Sequence, residues 1–244
     1  MRKLLMLAVL LCALAPVYAQ DGHEYAPLLE KSVNYQDWTL PGLSDRKLVN
    51  LRTWAKDKKL VMVVYFAPWC GNWKFDAPVV TRLYEKYRLQ GVGFVGVSEY
   101  ASLDAAREFF GPGGPPFPIV TESETRDDRT MTAHFGYRKA TGDGRNWGSP
   151  WHIFLDPAKF PEKGNTLAEN ATIVNGELIV ADTDKFIAER LKPAMPAKTA
   201  AAHSAFSTPA KSGAVFSATP PKKPALELKT KDDKDKTVKP CPDN

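Results

Sequence analysis

Cys70 is the residue in this chain best placed to do chemistry. It follows an apolar run, Val61-Met62-Val63-Val64-Tyr65-Phe66, and stands where a helical pattern begins. At a helix N-terminus a thiolate faces unsatisfied backbone N–H groups and the positive end of the dipole, which lowers its pKa and makes it a ready nucleophile toward disulfides. A redox dithiol of the Cys-X-X-Cys kind would carry a second cysteine three places on, but Trp73 stands there. A mixed disulfide formed at Cys70 therefore has no neighbouring thiol to resolve it.

The other cysteines are Cys12 and Cys241. Residues 1–19 read as a secretory signal: Arg2 and Lys3, then the apolar run Leu4 to Leu14, then Val17-Tyr18-Ala19. Pro16 interrupts the run before it reaches the length of a membrane anchor, and Leu11 ahead of Cys12 is a poor fit to a lipidation site. The expectation is an exported protein, periplasmic or otherwise extracytoplasmic, without stable membrane insertion, whose mature form keeps Cys70 and Cys241. Two cysteines exclude a small disulfide framework.

Cys241 stands in a segment from residue 193 to 244 rich in Pro, Ala, Lys, Ser and Thr with no sustained apolar period, a composition that reads as a disordered tail. Such a tail would spread about 40 Å, comparable with the diameter of a domain whose radius of gyration is about 15 to 16 Å. Two readings of Cys241 stand side by side: a displaced resolving thiol for Cys70, or an incidental tail thiol. The formal charge of +5 lies mostly in this segment once Arg2 and Lys3 are removed, and no basic face with interleaved aromatics points to nucleic acid.

The elements that must position Cys70 alternate between strand and helix. Lys59 to Phe66 and Val92 to Val97 read as buried strands, with a helix from 70 to 89 between them on apolar positions Val80, Leu83, Tyr84 and Tyr87. Ser102 to Phe110 reads as a helix capped by Ser102. Trp151 to Leu155 is a strand, Ala171 to Val180 a further strand with a hairpin turn at Asn175-Gly176, and Asp184 to Leu191 a closing helix. The alternation predicts an α/β three-layer sandwich with a central mixed sheet.

Trp69-Cys70-Gly71, Lys74, Pro78 and Gly148-Ser149-Pro150 before a strand together resemble the thioredoxin fold. Asp37-Trp38-Thr39-Leu40 with Val49-Asn50-Leu51, and Phe117-Pro118-Ile119, are similar to the exported TlpA-type thiol-disulfide oxidoreductases. The resemblance covers a domain at 37–192, with 20–36 as an N-terminal extension. It implies a cis bond before Pro150 and a substrate groove formed by Trp69, Gly71, Trp73, Ser149 and Pro150. It also implies an acidic group near the redox site at Glu99, where a carboxylate can move protons to or from sulfur. A solvated loop glutamate is the other reading of Glu99, slightly preferred on sequence. Three departures stand out: Trp73 in place of the second cysteine, an enlarged stretch from Lys139 to Trp147, and added residues from Pro157 to Glu169. Val64 also occupies the position where ordinary thioredoxins bury an aspartate.

Two functions follow. The first is single-thiol exchange at Cys70 with protein or low-molecular-weight thiols and disulfides. The second is a redox-inactive binding module that keeps the fold and the proline groove. A monothiol glutaredoxin analogy rests on Cys70-Gly71 alone, without glutathione-contacting motifs. No cofactor or metal is expected: His152 lies near Pro150, but no His or Cys cluster at ligand spacing accompanies it. Asn170-Ala171-Thr172 matches a glycosylation sequon, a pattern common by chance.

Overall fold

The computed structural model describes residues 22–192 and Cys241. The signal sequence and nearly all of the C-terminal tail inferred above lie outside the described residues.

In chain order the elements are β1 (Tyr25–Ala26), β2 (Leu29–Gln36), β3 (Thr39–Pro41), β4 (Leu48–Asn50), α1 (Leu51–Ala55), β5 (Leu60–Phe66), α2 (Gly71–Tyr87), β6 (Val92–Ser98), α3 (Leu103–Phe110), β7 (Ile119–Thr121), α4 (Ala133–Thr141), β8 (Trp151–Leu155), β9 (Thr166–Val174), β10 (Glu177–Leu178) and α5 (Val180–Arg190). Six strands form one sheet in the order β2-β9-β8-β5-β6-β7. β5, β6 and β7 run parallel, whereas β8 lies antiparallel to β5 and β9, and β2 antiparallel to β9. The sheet is mixed, as the sequence predicts.

β5 is central, and every residue in it is buried because both sheet faces are covered. Side chains alternate between faces along a strand. Leu60, Met62, Val64 and Phe66 pack with Trp73, Val80 and Leu83 of α2, Ala106 of α3 and Ile187 of α5. Val61, Val63 and Tyr65 pack on the opposite face with Leu51 and Ala55 of α1, Tyr137 of α4, and Trp151 and Ile153. These are the three layers.

Local chemistry explains the ends of several elements. Asn50 caps α1, its side chain accepting from the Thr53 N–H at 2.9 Å. Ser102 caps α3 as expected, accepting from Ala105 at 3.3 Å. The pairing of Thr39 with Asn50 and Leu40 with Val49 forms a hairpin ahead of α1 from the residues that carry the TlpA-type resemblance.

Other features differ from the sequence reading. Residues 29–36, read as part of an extension, supply the edge strand β2, which buries only Val33 and Tyr35; that sparse apolar alternation hides it in sequence. β9 starts at Thr166, inside the stretch read as added residues. The turn at Asn175-Gly176 does not close a hairpin. β10 instead pairs in parallel with β1, and Glu177 N–H donates to Glu24 O at 2.9 Å. Gly176 permits this crossing, since a Cβ there would lie 2.0 Å from Glu24 O.

Candidate active site

β5 delivers the chain to the site. After Phe66 it turns through Ala67-Pro68-Trp69, the Cys70 N–H donates to Ala67 O at 3.0 Å, and Cys70 becomes the N-cap residue of α2. Its side chain makes no capping hydrogen bond. It is instead joined in a disulfide to Cys241, with the two Cα atoms 4.5 Å apart across a sequence separation of 171. Cys70 is fully buried in this state.

Ser149 is the fixed point against which both sulfurs rest. Its carbonyl oxygen lies 3.2 Å from Cys70 Sγ and 3.5 Å from Cys241 Sγ, and its hydroxyl accepts the Ala67 N–H at 2.8 Å. The Ser149-Pro150 bond is cis. The entry to β8 is thereby tied to the exit of β5, with Cys70 at the junction.

The enlarged stretch ahead of the proline braces this loop. Arg138 of α4 is buried and donates from Nε to Asp143 Oδ2 at 3.1 Å and from Nη2 to the Arg145 carbonyl. Arg145 donates to Asp143 Oδ1 at 3.0 Å and to the Pro150 carbonyl at 2.9 Å. Burial alone would raise the Asp143 pKa, but hydrogen bonds and charge from Arg145, with the charge of Arg138, outweigh it and hold the carboxyl below its ordinary range. Gly148 has φ +58, and a Cβ there would lie 1.7 Å from Arg138 Nε. Only glycine fits between the ion cluster and the cis peptide.

Trp73 holds no substrate surface. It is fully buried, stacked on Phe66 at 4.4 Å between ring centroids and lying 6.0 Å from Phe109. The position where a second thiol would stand is part of the core, because that face of α2 packs on the sheet. Gly71 is half-buried in the first turn of α2, and Pro150 is buried. Trp69 is partly exposed beside Cys70. Its Nε1 donates to Tyr100 O at 2.8 Å, and its ring meets Trp147 edge-on at 5.0 Å.

Glu99 is not a solvated loop residue. It is fully buried at the end of β6, its N–H donates to Phe66 O at 2.8 Å, and its carboxyl accepts from the Ser123 hydroxyl. Burial, reinforced by the neighbouring Glu122 carboxyl, pushes its pKa well above the ordinary carboxyl range. Its hydrogen bonds run to Ser123 and Phe66, whereas both sulfurs meet Ser149.

His152 faces Asp76 of α2, with Nε2 2.9 Å from Oδ2, and Asp76 Oδ1 accepts the Leu178 N–H at 3.0 Å. Both side chains are buried, and His152 lies opposite Val64 in the sheet register. Asp76 escaped the sequence reading, although the spacing 73, 76, 80, 83 places it on the buried face of α2. Among the described residues no group of three or more His, Cys, Asp or Glu is arranged to hold a metal ion.

The family model described as Thioredoxin matches residues 50–134. No curated protein matches the chain. Among solved structures, a putative thiol:disulfide interchange protein DsbE from Chlorobium tepidum is 19% identical, with 68% of this chain and 100% of that one covered and a TM-score of 0.46. The thioredoxin domain of a thiol-disulfide oxidoreductase from Bacteroides vulgatus gives 19%, 68%, 100% and 0.47 on the same measures. A secreted Mycobacterium tuberculosis disulfide oxidoreductase homologous to E. coli DsbE gives 18%, 63%, 93% and 0.42. The chain has an α/β, thioredoxin-like fold, and the part matched by the Thioredoxin family model carries Cys70 at the head of α2.

Proposed function

We propose that the protein is an exported thiol–disulfide exchange protein in which Cys70 attacks and Cys241 resolves. The observation that carries this reading is the disulfide between Cys70, at the head of α2, and Cys241. In the reduced form Cys70 thiolate attacks a substrate disulfide R–S–S–R′, forming Cys70–S–S–R and releasing R′–S⁻. Cys241 thiolate then attacks the Cys70 sulfur, releases R–S⁻ and closes Cys70–S–S–Cys241. Two electrons pass from the two cysteines to the substrate, whose two thiolates take up the two protons given by the cysteines. The reverse sequence oxidises a dithiol.

The first attack is the single-thiol event read from sequence at Cys70; the second supplies what Trp73 cannot. The helix N-terminus favours Cys70 as the thiolate on both the attacking and leaving sides. The backbone of Ser149, beside the cis Pro150, presents a carbonyl to an extended segment of a protein substrate, with Trp69 and Gly71 flanking it. Export rests on the residue pattern of 1–19, and in an oxidising compartment the Cys70–Cys241 bond persists until a thiol arrives.

Trapping tests this reading. Cys241→Ser should accumulate mixed disulfides with thiol partners, visible on non-reducing gels, and Cys70→Ser should form none. If neither variant forms adducts and the native disulfide resists dithiothreitol, the bond is a structural staple and the binding-module reading replaces exchange.

A further inference from the structure

The two sulfurs of the disulfide differ in how they meet solvent. Cys70 has no exposed surface: it belongs to the core cluster that holds Phe66, Ala67 and Trp73. Cys241 packs against that cluster from outside and stays partly exposed. The Ser149 carbonyl oxygen meets both sulfurs, at 3.2 Å and 3.5 Å, so it does not distinguish them.

Exchange requires a thiolate to touch the sulfur that it attacks, and its rate depends on access to that sulfur and on how readily the other sulfur leaves. A thiolate is larger than a water molecule, and Cys70 offers no surface even to water. The leaving side points the same way. Cys70 is the N-cap residue of the 17-residue helix α2 and its side chain makes no capping hydrogen bond, so a thiolate released there faces the free N–H groups of the first turn. Cys241 stands in a bend, outside any helix. The sulfur that a thiol can reach is thus bonded to the sulfur that leaves more easily.

We infer that a reducing thiol opens the oxidised chain at Cys241, so that disulfide substrates and thiol reductants use different sulfurs of one site. This rests on the exchange reading above and names the point of entry of its second partner. The thiolate R″–S⁻ attacks Cys241 Sγ, the Cys70–Cys241 bond breaks, and Cys70 leaves as thiolate. A second R″–S⁻ attacks the R″ sulfur of the mixed disulfide Cys241–S–S–R″, forms R″–S–S–R″ and releases the Cys241 thiolate. Two thiols lose two electrons, the two cysteines gain them, and the protons of the thiols pass to the two cysteine thiolates. Cys70, no longer bonded to Cys241, then meets the next disulfide substrate.

The test uses the full oxidised chain and sulfite, which attacks a disulfide sulfur as a thiolate does, leaves a sulfonate on that sulfur and frees the other as thiolate. Unlike a thiol, sulfite is not passed between the cysteines, because the freed thiolate attacks the sulfur bearing the sulfonate and only recloses the bond. Reactions are stopped with acid at several short times, free thiols are blocked with N-ethylmaleimide, and peptides from a non-reducing digest are mapped by mass spectrometry. Extrapolated to zero time, sulfonate on Cys241 should exceed that on Cys70 by roughly ten-fold or more, the joint effect of access and of a stabilised leaving thiolate. In denaturing guanidinium the ratio should fall toward one, since both effects depend on the fold. An equal share or an excess on Cys70 in the folded chain, or a bias that persists in denaturant, overturns the assignment. Failure of the exchange reading looks different and removes both: the folded chain then takes sulfonate on neither cysteine, and 2-mercaptoethanol leaves the disulfide closed.

Discussion

Replacing Trp73 by alanine separates a core residue from a working one. The indole is fully buried, stacks on Phe66 and, among the described residues, makes no hydrogen bond through Nε1. Burial of about 200 Å² at about 25 cal/mol per Å² puts the upper bound of its contribution near 5 kcal/mol. Removing a buried N–H that lacks a partner returns about 1 kcal/mol or more. The expected net loss for Trp73→Ala is therefore about 3 kcal/mol, at the lower end of the range for such truncations. Trp73→Phe keeps a ring against Phe66, drops the orphan donor and should cost under about 1 kcal/mol. Guanidinium denaturation of the oxidised protein, followed by circular dichroism, reads both values. Disulfide opening by 2-mercaptoethanol should continue in both variants, because the thiol that closes the bond is Cys241. A loss below about 1 kcal/mol for Trp73→Ala, or an exchange defect in Trp73→Phe without a stability defect, would refute the placement of Trp73 in the core.

Three further outcomes follow from the site. Glu99 has a folded-state pKa raised above 4.5, so its contribution is fully present below about pH 4.5 and is lost as pH rises toward the folded value. Glu99→Gln should therefore be more stable than wild type at pH 7 and show a flatter decline as pH rises above about 4.5 in denaturant titrations; an unchanged slope would contradict a raised pKa at Glu99. Gly148→Ala should cost about 3 kcal/mol or more, since the new Cβ displaces Arg138 from its buried ion cluster; a melting temperature within about 2 °C of wild type would contradict it. Asp76→Ala should cost about 1 to 3 kcal/mol by stranding the buried Leu178 N–H. Asp76→Asn, which keeps an oxygen for Leu178, should cost less, and equal losses would show that this hydrogen bond is immaterial.

Much of this arrangement is legible in the residue order. β5 announces itself because a strand covered on both faces is apolar throughout, and α3 because Ser102 and Gly111 bracket its apolar face. β2 is obscure for the opposite reason: an edge strand with one covered face buries two side chains among Lys, Asn and Gln. α4 is also obscure in the sequence, although Thr132 caps it and Gly142 ends it in the left-handed conformation. Its service to the site, holding Arg138 against Asp143, depends on a chain fold that no local pattern encodes. The stretch from Lys139 to Trp147 stood out as a departure, but its role in bracing Pro150 required the position of Arg145. Cys70 was evident from its place between strand and helix. Its partner was not fixed by sequence, since a separation of 171 residues carries no local signal.

The exchange reading requires Cys70 and Cys241 to form a reversible redox pair. Equilibrating the full chain in buffers of graded dithiothreitol ratio, quenching with acid, alkylating free thiols and mapping peptides measures that pair directly. One two-electron transition is expected, in which both cysteines become alkylated together while the fold, read by circular dichroism, is retained. Alkylation of Cys70 or Cys241 alone, or opening of the disulfide only when the domain unfolds, would contradict it.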